Sequence, residues 1–131
     1  MDRRIVATSK APAAIGPYSQ AVEANGVVYV SGQIPLDPAS GEIVGGGIEG
    51  QTRQVLENLK NVLEAAGSGF GKALKVTIFL TDMDAFGEVN GIYGEYFKEN
   101  PPARACVEVS ALPRGVLVEM DAVALDGRSK D

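Results

Sequence analysis

Residues 101–121 read PPARACVEVSALPRGVLVEMD. Two runs of strand character flank a break that holds Pro113 and Gly115. Alternation along the first run sends Ala103, Ala105, Val107 and Val109 to one face and Arg104, Cys106 and Glu108 to the other. Along the second run, Val116, Val118, Met120 and Ala122 share a face, and Leu117, Glu119 and Asp121 share the opposite one. A hairpin folded about residues 112–113 would set Cys106 across from Glu119, with Arg104 diagonal to Glu119 and within side-chain reach. A slip of one residue reverses that facing. On this pairing a cation and a carboxylate either converge on a small site or form a cross-strand salt bridge on a wet sheet face. Spacing alone leaves both readings open.

The chain of 131 residues reads as a single domain, 1–131, long enough to bury a core without staples. Its 45% hydrophobic and 22% charged residues are those of an ordinary soluble globular chain. A formal net charge of −5 supplies no basic footprint for a phosphate backbone, so no nucleic-acid partner is expected. The lone Cys106 excludes an intrachain disulfide and suits a reducing compartment. Histidine is absent, which removes the usual general base, the Ser-His-Asp constellation and the commonest metal ligand. Acid–base work near neutral pH must fall to Glu, Asp, Tyr, Lys, the Cys, or water that they hold. The N-terminal stretch has no apolar core of a secretory signal, and no apolar run approaches the ~20 residues of a membrane span. The expectation is a cytoplasmic protein with no membrane partner.

Upstream of the quoted stretch, residues 82–98 predict a helix capped by Asp82 or Asp84, with Phe86, Val89, Tyr93, Tyr96 and Phe97 on its buried face and Gly87, Gly91 and Gly94 opposite. Asn90 falls inside that apolar stripe, so it is expected to be a buried amide that needs a partner: a ligand, a loop that it positions, or local backbone. Ala73–Thr81 alternates as a strand. Gln51–Ala66 carries an apolar stripe of Val55, Leu56, Leu59, Val62, Leu63 and Ala66, a charged stripe opposite, and Gly67 as its cap. GGGIEG, residues 45–50, reads as a flexible connector. It lacks the Lys-Ser/Thr of a phosphate loop and the spacing of a dinucleotide fingerprint.

Further upstream, Asn25-Gly26 between Ala21–Ala24 and Val27–Ser31 is a strong hairpin signal. The second of these runs ends in SGQIP, where Gly32 permits close approach and Ser31 offers a hydroxyl, or where the strand simply bulges. Tyr18 follows the turn at Gly16 and either faces a ligand or half-buries as a loop aromatic. Ile5–Ala7 is a short edge strand, and DGRSKD, 126–131, is a polar tail. The expected order is three strands, helix, strand, helix, two strands. These make an α/β (α+β) domain with a mixed six-stranded sheet and both helices packed on one face. The uncovered, partly apolar face predicts self-association.

Four segments together carry a resemblance: APAAIGPYSQAV at 11–22, VSGQIP at 30–35, VTIFLTDMDAFGEVNGIY at 76–93 and PPARACVEVSALPRGVLVEMDAVA at 101–124. On them, nearly end to end, the chain resembles the RidA group of the Rid (YjgF) family, the reactive intermediate deaminases. The resemblance implies a chorismate-mutase-like fold and a homotrimer with clefts between subunits. It implies hydrolysis of 2-imino acids or their enamines, typically 2-iminobutanoate and 2-iminopropanoate, to 2-oxo acids and ammonia, without cofactor or metal. Such imines are by-products of pyridoxal-phosphate-dependent dehydratases, so the implied role is metabolite damage control. By the same resemblance Arg104 would hold the substrate carboxylate and Glu119 would work with water at the imine carbon, while Tyr18, Ser31, Gly32, Asn90 and Cys106 would line the cleft. Two other classes stand beside it: a non-catalytic ligand-binding regulatory trimer, and an endoribonuclease or chaperone-like protein.

Overall fold

The structure is a computed structural model that describes residues 2–127; most of the expected polar tail, 128–131, lies outside the described residues. Its elements are β1 (Arg4–Val6), β2 (Ala21–Ala24), β3 (Val27–Gln33), α1 (Gly47–Ala65), β4 (Ala73–Leu80), α2 (Phe86–Tyr96), β5 (Ala103–Glu108) and β6 (Val118–Leu125). Their order is the one that periodicity predicts. At the β2–β3 turn Asn25 and Gly26 take φ of 55° and 79°, the left-handed pair that a tight two-residue hairpin requires.

The strands form one mixed sheet in the order β1-β2-β3-β6-β4-β5. β4 and β5 run parallel, and α2 supplies the crossover that parallel neighbours need; the other pairs are antiparallel. The hairpin expected about residues 112–113 does not form. β4 lies between β5 and β6, with Phe79 paired to Val107 on one side and to Glu119 on the other. The cause is burial. Val76, Ile78 and Leu80 of β4 are fully buried and take the middle of the sheet, whereas β5, exposed along most of its length, takes an edge. Residues 109–117 span the extra ~10 Å of one intervening strand.

Both helices lie on one face. Val55, Leu56, Leu59, Val62 and Leu63 of α1 and Val89, Ile92 and Tyr93 of α2 join Val28, Val30, Val76, Ile78, Leu80, Val118, Met120, Ala122 and Ala124 in one core. α1 begins at Gly47, not at Gln51, so the end of the expected connector is its first turn. It ends as expected at Gly67, whose φ of 80° lets Ser68 N–H reach the Leu63 carbonyl (2.8 Å) and Gly67 N–H reach that of Glu64 (3.0 Å). The Asp82 carboxylate accepts from Asp84 N–H at 2.9 Å and opens a 3-10 turn, Met83–Ala85, that leads into α2. Across the uncovered face Ile5, Val22, Tyr29 and Val123 stand in register, with Ile5 52% and Tyr29 54% exposed.

Candidate active site

Glu119 sits on the uncovered face, at the floor of a cleft of about 450 Å³ lined by Ile15, Tyr18, Ser31, Gly32, Ile34, Pro113 and Arg114. A β-bulge builds one wall. β3 pairs Val30 with Ala122 and next Gln33 with Met120, so three residues advance against two and Ser31-Gly32 is the bulge. The strand bulges at SGQIP, and the bulge brings Gly32 against Glu119 so closely that a β-carbon there would overlap the carboxylate. Ser31 donates its hydroxyl proton to the Ser19 carbonyl at 2.6 Å, which leaves its lone pairs to the cleft.

Tyr18 is 50% exposed and lines the same cleft; Gly16, at φ 139°, turns the chain into it. Buried Gln20 fixes this loop. Its amide donates to the Thr8 (3.1 Å) and Pro12 (2.8 Å) carbonyls and accepts from Thr8 N–H (2.6 Å). On the far wall, buried Asn58 of α1 donates to the Ile34 (3.1 Å) and Leu36 (3.0 Å) carbonyls and so holds the segment that carries Ile34. Burial pushes the Glu119 carboxyl above the ordinary carboxylate range, and the Asp121 carboxylate two residues on adds to the rise. Asp121 is itself raised by burial, partly offset by a hydrogen bond from Thr77 and the charge of Lys75.

Arg104 stands elsewhere. It projects from β5 onto the helix-covered side, where its guanidinium donates to Asn90 Oδ1 at 2.7 Å and lies 5.4 Å from the Phe86 ring and 5.0 Å from the Tyr93 ring. Asn90 is exposed rather than buried, which corrects the expectation from its place in the apolar stripe. The stripe's outer edge, Phe86-Asn90-Tyr93, is the platform on which the arginine rests. Its amide partner is a side chain of β5, neither local backbone nor a ligand. Cys106 follows Arg104 on the same side, partly buried against the core. Burial raises its thiol pKa and the Arg104 charge counters that in part.

The seven expected site residues thus fall into two groups. Tyr18, Ser31, Gly32 and Glu119 share the cleft; Arg104, Asn90 and Cys106 lie across the sheet from it. Arg104 is in register with Val76 and Ala122 beneath the helices, while Glu119 is in register with Phe79 and Val107 on the other face. Side-chain reach between Arg104 and Glu119 within one chain, expected from the hairpin, is overturned because the intervening strand shifts the register by an odd number of residues. Among the described residues, no three His, Cys, Asp or Glu side chains gather as a metal site would need, and no helix is long and apolar enough to cross a membrane.

Sequence reasoning missed Arg114, which supplies positive charge to the cleft wall. Its backbone is left-handed (φ 59°, ψ 16°), at a cost of about 1–2 kcal/mol for a residue with a β-carbon. Its guanidinium donates to the Gly41 carbonyl at 2.8 Å and lies 4.0 Å from Glu42. Proximity in sequence to Gly115 was the available signal, since such turns concentrate left-handed residues.

Residues 8–126 match the family described as endoribonuclease L-PSP. The chain is 51% identical over 125 residues to a mouse protein named 2-iminobutanoate/2-iminopropanoate deaminase, across 95% of this chain and 93% of that one. The structure superposes on YyfA of Yersinia pestis, a protein of the conserved Rid family, with a TM-score of 0.92, 50% identity and coverage of 95% and 99% of the two chains. It superposes on E. coli TdcF with bound serine with a TM-score of 0.90, 42% identity and coverage of 96% and 99%. The chain belongs to the endoribonuclease L-PSP family, and within it to the RidA group of the Rid (YjgF) proteins.

Proposed function

We propose that this protein hydrolyses small 2-imino acids, 2-iminobutanoate and 2-iminopropanoate among them, to 2-oxo acids and ammonia. The sites are clefts between the subunits of a chorismate-mutase-like homotrimer in the cytoplasm. The carrying observation is the division of the site: a carboxylate in an open cleft on one sheet face, and a guanidinium held by Asn90 on the other. Two such groups act on one small molecule when they come from two copies of the chain. The uncovered apolar row of Ile5, Val22, Tyr29 and Val123 is the kind of surface that association buries.

In this reading Arg104 of one copy grips the substrate carboxylate with a planar fork of charge-assisted hydrogen bonds; Asn90 and the Phe86 and Tyr93 rings orient the guanidinium. Glu119 of the neighbouring copy takes a proton from water as its oxygen bonds to the imine carbon. It then returns that proton to the nitrogen of the carbinolamine; the C–N bond breaks and ammonia leaves as the hydroxyl gives its proton back to the Glu119 carboxylate and the carbonyl forms. A carboxyl raised toward neutrality suits both halves, and such transfers are worth about 10²–10⁴ in rate. Ser31, Gly32 and Tyr18 of the copy that supplies Glu119, and Asn90 and Cys106 of the copy that supplies Arg104, line the composite cleft. Ile15, Ile34 and Pro113 give an apolar wall for a methyl or ethyl group. The serine bound by TdcF and the name of the mouse relative support an amino-acid-like ligand.

The family description also names an endoribonuclease, but a chain with net charge −5 and no histidine offers RNA little electrostatic attraction and no customary base. A dehydratase assay coupled to ketoacid release tests the proposal. Wild type accelerates release, while Arg104→Ala and Glu119→Gln each lose most of the acceleration. Full activity in either variant removes that residue's role. A Glu119→Gln protein that loses no physiological effect identifies a ligand-binding regulator instead.

A further inference from the structure

We infer that Arg114 is a specificity-determining positioning residue: it latches the rim of the Glu119 cleft and so sets the length of side chain that the cleft accepts. The inference rests on the deaminase reading for its substrates. Beside Ile15, two segments of the apolar wall flank Arg114. One holds Pro113; the other holds Ile34 and runs on into the turn at Asp37–Glu42, which is closed by Gly41 N–H to the Asp37 carbonyl (2.8 Å) and Asp37 N–H to that of Glu42 (2.9 Å). Arg114 joins them through its 2.8 Å bond to the Gly41 carbonyl, with Glu42 4.0 Å from the other guanidinium nitrogen.

The backbone at Arg114 strengthens the assignment. A left-handed residue is met without strain by glycine, so an arginine there is held by what its side chain reaches. Releasing the latch frees Pro113 and the 37–42 turn to move apart and deepens the apolar end of the cleft. A substrate's side chain points to that end once its carboxylate and imine face Arg104 and Glu119. Substrates with longer side chains gain most.

The test compares wild type, Arg114→Gly and Arg114→Lys on 2-imino acids generated in situ by an amino-acid oxidase from alanine, 2-aminobutyrate, norvaline and norleucine. Glycine suits the backbone here, so Arg114→Gly folds, as thermal melting verifies. The ratio of kcat/KM for the norleucine-derived to the alanine-derived imine rises at least about threefold in Arg114→Gly, a small part of the roughly tenfold or more that a single methylene can command. The change lies mainly in KM, and Arg114→Lys, which can still donate to the Gly41 carbonyl, stays below that threshold. A ratio shifted less than threefold in Arg114→Gly, or equally in Arg114→Lys, overturns the latch. A wild-type protein that turns over none of the four overturns the deaminase reading instead; the latch is then read from calorimetric affinities for the matching 2-oxo acids against the same threshold.

Discussion

Gly32 and the carboxylate of Glu119 are packed so tightly that no side chain fits between them: a β-carbon on Gly32 would fall on the Glu119 carboxylate and within 2.8 Å of its Cδ. The backbone at Gly32 is not left-handed, so alanine is allowed there conformationally, and the group it would strike is the movable end of a side chain. Gly32→Ala is therefore expected to fold and to displace the carboxylate. Misplacement by about 1 Å costs on the order of 10²-fold in rate. Parallel measurement of kcat and of the melting temperature checks this; a variant with wild-type kcat would show that the position of the carboxylate does not matter.

The opposite facing of Arg104 and Glu119 makes the proposed intersubunit site testable by complementation. Arg104→Ala and Glu119→Gln subunits, each inactive alone, are mixed and allowed to exchange. In a closed ring of head-to-tail interfaces, random mixing leaves about a quarter of the clefts with both groups intact. Recovery of roughly that fraction of wild-type deaminase activity is expected. No recovery, with exchange verified by mass spectrometry, would place both groups in the service of one chain or of different sites.

Asp121 and Glu119 both have carboxyls raised by burial, so the folded state favours their protonated forms. A carboxyl whose folded pKa lies above its unfolded value binds more protons in the native state. Its contribution to stability is full below the ordinary carboxylate range and is lost as pH rises through the raised value. Asp121→Asn removes that loss. The variant is expected to be more stable than wild type at pH 7, with the difference shrinking on acidification and gone below about pH 4, the ordinary aspartate value. Denaturation at fixed protein concentration across pH measures it. Removing the Asp121 charge also eases ionisation of Glu119, so the acid limb of the pH–rate profile moves to lower pH.

Asn58 couples the core to the cleft. Replacing it with alanine strands the buried Leu36 carbonyl, an unmet group of a kind that costs about 1–3 kcal/mol, while the Ile34 carbonyl keeps the Leu36 N–H (2.8 Å). Asn58→Ala is expected to lose about 1–3 kcal/mol in urea denaturation. Ile34 also loses its support, so KM rises more than kcat falls. A destabilised variant with unchanged KM would separate this wall from substrate binding.

Much of the fold is legible in single segments. The Asn25-Gly26 hairpin, the α1 stripe closed by Gly67, the alternation of β4 and the two faces of the 103–109 and 116–122 runs all follow from backbone periods of 2 and 3.6 residues. Those periods act within one element, and the sequence alone determined them, together with the order of the elements. It left the mutual facing of Arg104 and Glu119 to the pairing of their strands, since a slip of one residue reverses it.

The presence of that strand was decided only in the tertiary structure. Seating β4 between β5 and β6 depends on how much apolar surface each strand can bury under two helices that are distant in sequence, a non-local balance that no window of residues contains. The same balance drew Asn90 out of the core to meet Arg104, set Gln20 and Asn58 to brace the cleft from both sides, and brought Arg114 across to Gly41, 73 positions away in the chain.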